Sequence, residues 1–178
     1  MLIKGERTYL GPMDGKAWNS LYQAHLDPEF DCLVNVDIYP MTIEEVVGLY
    51  SRFTNPNTGR CFQIFDNRDQ PIGFIGLCEI DWKNRNAEFH IGIWDKSKRN
   101  NGHGKEATGI LIEYSFKQLN LHRLYSVAFL DNGIAKKLFL SMKFTQEAVL
   151  KDVFYIDGRY RHGVLFSLIN KRHYKTKE

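Results

Sequence analysis

Between Arg99 and Lys105 the chain reads Arg-Asn-Asn-Gly-His-Gly-Lys, two glycines among three basic side chains, shortly after the apolar run Ala87-Glu-Phe-His-Ile-Gly-Ile-Trp94. A glycine lets a ligand come close to the backbone. A helix start supplies free N–H groups and a partial positive charge. Together with Arg99, His103 and Lys105, such a turn suits an anion of the phosphate type. There is no GxxxxGK[ST] sequence, and no GxGxxG after a first strand with an acid further on, which excludes the P-loop and the usual dinucleotide fold. Just upstream, Glu88 and His90 stand two residues apart on an apolar run and so share one face of a strand. Both types can serve proton transfer, with Glu88 the candidate base and His90 either orienting an acceptor or relaying a proton. An exposed charge at a strand start and a packed, hydrogen-bonded histidine explain the same two residues.

These residues need elements to hold them. Thr8–Leu10 is expected as a short strand, and Asp14–Leu26 as a helix with Asp14 as N-cap and Trp18, Leu21, Tyr22 and Leu26 on one face. A loop is expected up to Met41. Thr42-Ile-Glu-Glu45 is a capping box that opens a second helix, closed by Asn55-Pro56-Asn57. Arg60–Asp66, Pro71–Trp82 and Asn86–Trp94 alternate with polar turns and predict an antiparallel meander. Lys105–Leu119 has helical spacing, so the strand His122–Phe129 is expected parallel to its predecessor. A short helix, Asn132–Met142, and two strands near Thr145–Phe154 and Arg161–Ile169 complete the order.

The chain has 178 residues, 43% of them hydrophobic, which predicts one domain with one core. No apolar run approaches a membrane span, and Lys4, Glu6 and Arg7 interrupt the start of the chain, so neither a membrane anchor nor a secretory leader is expected. Cys32, Cys61 and Cys78 stand at unrelated spacings, which predicts reduced thiols, a cytoplasmic protein and no metal. The net charge of +3 is unevenly spread: residues 1–51 hold three cations against eight acids, a net of −5, and the rest carries +8. Six acids and no Lys or Arg lie between Lys16 and Arg52. They form either a solvated acidic surface or a wall for a cationic partner. The basic tail Asn170–Lys177 reads as a solvated end, and no nucleic-acid partner is expected.

Arg99-Asn100-Asn101-Gly102-His103-Gly104 matches the acetyl-CoA motif Q/R-x-x-G-x-G/A, and the run from Ile72 to Tyr174 resembles the GNAT superfamily of N-acetyltransferases. The segments AEFHIGIW, YSFKQLNLHRLY, DNGIAKKLF and FYIDGRYRHGVLFSL are similar to its branch of ribosomal-protein and bacterial spermidine acetyltransferases. The resemblance implies a single-domain α+β fold over residues 1–178, with a mixed, mostly antiparallel sheet of about seven strands flanked by four helices. It implies a splay between the fourth and fifth strands. It also implies an acceptor wall over about residues 14–54, an acetyl-CoA core over about 60–144 and a C-terminal hairpin over about 145–170. In that reading the pantetheine arm of acetyl-CoA pairs with backbone near Ile91, Gly92 and Ile93. The pyrophosphate sits on Arg99, Asn100, Asn101, Gly102, His103, Gly104 and Lys105, and Asn132 touches the cofactor. Glu88 corresponds to the family's Glu in AEF.

One position departs from the family frame N-x-x-A-x-x-x-Y-x-x-x-G-F, which here reads Asn132-x-x-Ala135-x-x-x-Phe139-x-x-x-Lys143-Phe144. Phe139 stands at the cofactor where relatives place a tyrosine facing the coenzyme A sulfur, and it has no proton to donate. Water, Ser141 or Tyr125 would have to serve, or the chain binds acetyl-CoA without turnover. For the acceptor, Asp27, Glu29, Asp31 and Asp37, interleaved with Tyr22, Phe30 and Tyr39, favour a polyamine of the spermidine type. A protein N-terminus and an aminoglycoside-like amine remain alternatives. Self-association through edges of the C-terminal hairpin is a further expectation.

Overall fold

The computed structural model describes residues 3–34, 39–156 and 158–171. In chain order these form β1 (Ile3–Lys4), β2 (Thr8–Pro12), α1 (Gly15–His25), α2 (Pro28–Val34), α3 (Ile43–Leu49), α4 (Ser51–Thr54), β3 (Arg60–Asp66) and β4 (Pro71–Asp81). There follow β5 (Asn86–Ile93), a 3-10 turn (Lys96–Lys98), α5 (His103–Lys117), β6 (Arg123–Phe129), α6 (Gly133–Ser141), β7 (Thr145–Ile156) and β8 (Arg159–Ile169). The strands make one sheet in the order β1-β2-β3-β4-β5-β6-β8-β7. Among the described residues every neighbouring pair is antiparallel except β5–β6, which the α5 crossover makes parallel.

The sheet separates two apolar layers. Ala87 and Phe89 of β5 join Leu111 of α5, Phe139 of α6 and Phe166 of β8 on one face. Leu21, Phe30, Val46, Tyr50 and Phe53 of α1–α4 pack with Phe74 and Cys78 on the other. Asp14 caps α1 by accepting from the Ala17 N–H at 2.9 Å, and Thr42 and Glu45 form the expected capping box of α3. The start of α5 is tied to the first strands by Glu106. Its carboxylate accepts from the N–H groups of Glu6 and Arg7 and, at 2.7 Å, from the Thr8 hydroxyl. Burial would raise the Glu106 carboxyl, but Thr8 and the two amides hold it below the ordinary range.

Four expectations need correction. The sheet has an eighth strand, because the two-residue β1 pairs with Tyr9 and Leu10 and is too short to leave a pattern in the sequence. There are six α-helices among the described residues instead of four. The segment expected as a loop contains α2, with Pro28 at its first position and Glu29 and Asp31 in its first turn, both favourable there. The second expected helix is divided at Tyr50 into α3 and α4. Among the described residues no helix is long and apolar enough to cross a membrane.

Lys143 follows the C-cap of α6 with φ 67°, the left-handed conformation in which glycine is unstrained. The family frame has glycine at this place, and Lys143 therefore carries a local strain. Lys143→Gly is expected to raise the unfolding free energy by about 1 kcal/mol, measured as an increase in the urea midpoint at unchanged m-value.

Candidate functional site

The site is built around the open edge of β5. Its pairing with β6 is confined to Asn86↔Arg123, Ala87↔Leu124 and Glu88↔Tyr125. Beyond Glu88 the strands part, while β5 stays paired to β4 up to Ile93 and β6 stays paired to β8 up to Phe129. This is the expected splay between the fourth and fifth strands, numbered here β5 and β6. The Ile93 carbonyl faces the open side, where the Arg99 Nε–H donates to it at 3.0 Å. Alternation along an antiparallel strand then puts the N–H and C=O of Ile91 and Phe89 on the same side. Gly92 serves packing: a Cβ there would meet Phe74 at 2.7 Å and Phe30 at 3.1 Å, so its lack of a side chain lets α2 rest on the sheet.

The wide end of the splay leads to the anion-type turn. Asn100 (φ 62°) and Gly102 (φ 87°) are both left-handed, and Gly102 is the N-cap of α5 with no side chain to occupy the first amides. Arg99 is held on two sides, by the Ile93 carbonyl and by Glu29 at 2.6 Å, while its Nη2 finds no hydrogen-bond partner among the described residues. The Nδ1 of His103 is likewise buried and unsatisfied. Asn101 is turned back, donating to the Ser97 carbonyl at 2.8 Å, and Lys105 is exposed. An orphaned guanidinium nitrogen and an imidazole nitrogen that donates in its Nδ1–H form, at a bare helix start, fit a pyrophosphate. Asn132 opens α6 by accepting from the Ala135 N–H at 3.0 Å.

Glu88 marks the closed end of the splay. Its side chain is 17% exposed and lies 3.0 Å from His90 Nε2 and 3.6 Å from Arg52 Nη1, and it accepts from the Cys78 thiol at 3.5 Å. His90 Nε2 lies at hydrogen-bonding distance from the carboxylate, but no aligned N–H bond joins them. Burial alone would raise the Glu88 carboxyl. His90, Arg52 and the Cys78 thiol outweigh it and hold the group below its ordinary value. The His90 ring packs edge-on against Phe53 at 5.0 Å. Tyr125 sits beside Glu88 by register on the same face. Burial, followed by the nearby negative charge of Glu88, raises its hydroxyl and keeps it protonated at neutral pH. Ser141 is exposed and its hydroxyl donates to the Leu138 carbonyl at 2.8 Å. Phe139 is 3% exposed, enclosed by Phe89, Phe144 and Phe166, and so belongs to the core in place of lining the splay.

The acidic segment is not the open wall its composition suggests. Asp31 is buried and contacts His25 Nδ1 at 2.6 Å, while His25 Nε2 lies 3.1 Å from the Tyr50 hydroxyl. With Nδ1–H donating to Asp31, the Tyr50 hydroxyl donates to Nε2, and this set joins α1, α2 and α3. Phe30 is also buried, against Trp94 and His25. Glu29 pairs with Arg99 at 2.6 Å and with Lys96 at 2.8 Å, and Asp27 with Lys96 at 3.1 Å. Lys96 is the first cause of the lowered pKa of both acids. Tyr39 is exposed, and Asp37 lies outside the described residues. Cys78, Arg52 and Lys96 were not singled out from the sequence. Cys78 reaches Glu88 only through strand register, and Lys96 and Arg52 only through helix docking.

A splayed parallel pair followed by a bare helix start is the architecture of acetyl-CoA-dependent acyl transfer, and residues 7–145 match the acetyltransferase (GNAT) domain. The chain belongs to that family. It is 28% identical over 137 residues to the spermidine N(1)-acetyltransferase of Vibrio cholerae serotype O1, covering 77% of this chain and 79% of that one. It is 28% identical over 176 residues to the uncharacterized N-acetyltransferase p20 of Bacillus licheniformis, covering 95% and 96%. The crystal structure of spermidine N-acetyltransferase from Vibrio cholerae in complex with CoA and spermine superposes with a TM-score of 0.85 at 23% identity, covering 96% of this chain and all of that one.

Removal of Asp31 leaves His25 and Tyr50 buried without their anchor. Asp31→Ala is expected to lower the unfolding free energy by about 3 kcal/mol, measured by chemical denaturation. A loss no larger than that of a surface acid would show that the set does not hold the helices together.

Proposed function

We propose that the chain transfers an acetyl group from acetyl-CoA to a primary amine, with a polyamine of the spermidine type as the favoured acceptor. The observation that carries this reading is the parting of β5 and β6 just beyond Glu88, with unsatisfied nitrogens on Arg99 and His103 at its wide end. The open backbone of Phe89 and Ile91 suits the amides of a pantetheine arm, which add to the sheet as a strand would. The turn from Asn100 to Lys105 and the first amides of α5 suit the pyrophosphate. The polyamine preference rests on the likeness to the Vibrio cholerae enzyme and on the anionic Glu88 at the closed end.

Acetyl transfer needs a neutral amine, a polarised thioester carbonyl and a proton for the departing thiolate. Because the Glu88 carboxyl is held low, it stays ionised at neutral pH and is a poor resting place for a proton. Its work is to hold the ammonium and orient it toward the splay. His90, 3.0 Å away and edge-on to Phe53, passes the released proton toward solvent. Tyr125, protonated and in register with Glu88, supplies the hydroxyl that Phe139 lacks. The reading also takes the chain as a homo-oligomer, since β7 is an outer strand of the sheet and exposes Val149, Val153 and Tyr155. A cytoplasmic location agrees with the free thiols of Cys61 and Cys78.

The test is release of coenzyme A thiol from acetyl-CoA with spermidine, spermine, an aminoglycoside and N-terminal peptides as acceptors. Saturable turnover with the polyamines and not with the peptides is expected. Tight acetyl-CoA binding without release for any acceptor would contradict transferase activity. Tyr125→Phe is expected to lower kcat about 100-fold, and Glu88→Gln to raise the KM for a cationic amine at least about tenfold. Unchanged kinetics in either variant would remove that residue from the mechanism.

A further inference from the structure

The closed end of the splay holds three different metal-binding side chains. The Cys78 Sγ, a Glu88 carboxylate oxygen and the His90 Nε2 all lie within 4.8 Å of one another. The sulfur is 3.5 Å from Glu88 Oε2, and the imidazole nitrogen is 3.0 Å from Glu88 Oε1. Tetrahedral zinc, with Zn–S near about 2.3 Å and Zn–O and Zn–N near about 2.0 Å, places sulfur and oxygen about 3.5 Å apart and nitrogen and oxygen about 3.3 Å apart. The sulfur–oxygen and nitrogen–oxygen spacings, each to a different oxygen of the Glu88 carboxylate, are close to those values, and the three ligand atoms draw together from within 4.8 Å to hold one ion. Cys78 and Glu88 are direct partners on the central strands β4 and β5, so the sheet fixes the ligand set. The ring nitrogen of His90 has no aligned hydrogen bond to give up.

We propose that Cys78, Glu88 and His90 form a site for a thiophilic divalent cation of the zinc type, and that its occupancy blocks the amine pocket. The donor set of sulfur, nitrogen and oxygen selects zinc or cobalt over magnesium or calcium. Three protein ligands leave a fourth position open. Binding converts Cys78–SH and M²⁺ into a metal–thiolate bond and one released proton, with neutral His90 carrying its proton on Nδ1 and offering the Nε2 lone pair, and with no change of oxidation state. The thiol must lose its proton to bind the ion, so affinity rises with pH. Arg52, 3.6 Å from Glu88 and half exposed, opposes the ion and must turn toward solvent. Arg52 therefore weakens the site, and Arg52→Ala tightens it. The binding itself is independent of the transferase reading; only the blocking effect rests on it.

The probe is cobalt(II), titrated into reduced, EDTA-treated full-length protein. One equivalent is expected to give a thiolate-to-cobalt charge-transfer band and tetrahedral visible bands, both removed by zinc. Cys78→Ser is expected to abolish the charge-transfer band, Cys61→Ser to leave it, and Arg52→Ala to lower the dissociation constant at least about threefold. In the transfer assay zinc is expected to compete with the amine and not with acetyl-CoA, reversibly with EDTA. No thiolate band, or a band that persists in Cys78→Ser, overturns the site and leaves the transferase reading standing. A Cys78-dependent band without inhibition upholds the site, overturns the blocking effect and counts against Glu88 as the amine anchor.

Discussion

Two parallel strands that cease to pair midway leave backbone N–H and C=O groups that nothing inside the sheet can satisfy. In this chain the parting follows Glu88↔Tyr125, and much of the molecule maintains it. β5 is fastened on its other side to β4, and β6 to β8, so neither strand can close the gap without breaking a ladder. Ile93, at the far end, is kept open by Arg99, whose guanidinium takes up its carbonyl. The Glu106 carboxylate then secures α5 to the first strands, which fixes the direction of the bare helix start. A donor whose amides and phosphates lie along one extended arm meets both features in a single line.

The helical layer on the other face is tied to the same loop. α2 rests on Gly92 through Phe30, and its opening acids Asp27 and Glu29 hold Lys96 and Arg99. The helical layer and the turn that leads into α5 therefore share ion pairs. The acids of these pairs are partly or largely exposed, and ion pairs of this kind are weak individually. The buried His25–Asp31–Tyr50 set seats α2 alongside those outer contacts.

Much of this was legible in the sequence, and the failures have physical reasons. The meander, the crossover helix, the parallel pair and the caps at Asp14 and Thr42 follow from alternation, periodicity and side-chain chemistry. Pro28 followed by Glu29 and Asp31 is a helix-start signal, but the same acids read equally as surface charge in a loop. Composition likewise does not distinguish a solvated acid from one buried against a histidine, and Asp31 is the latter. Cys78 was hidden for a geometric reason. Counting back from the Asp81↔Asn86 pair would place Glu79 opposite Glu88, but a bulge with Glu79 at φ 51° shifts the register and brings Cys78 there instead.

The central claim is that the unpaired edge of β5 receives the acyl donor. Amide hydrogen exchange over Phe89–Ile93, with and without saturating acetyl-CoA, tests it most directly. Slower exchange at Phe89 and Ile91, together with the first amides of α5, is the result expected if the donor completes the sheet. Tight binding of acetyl-CoA with unchanged exchange in this segment would contradict the account.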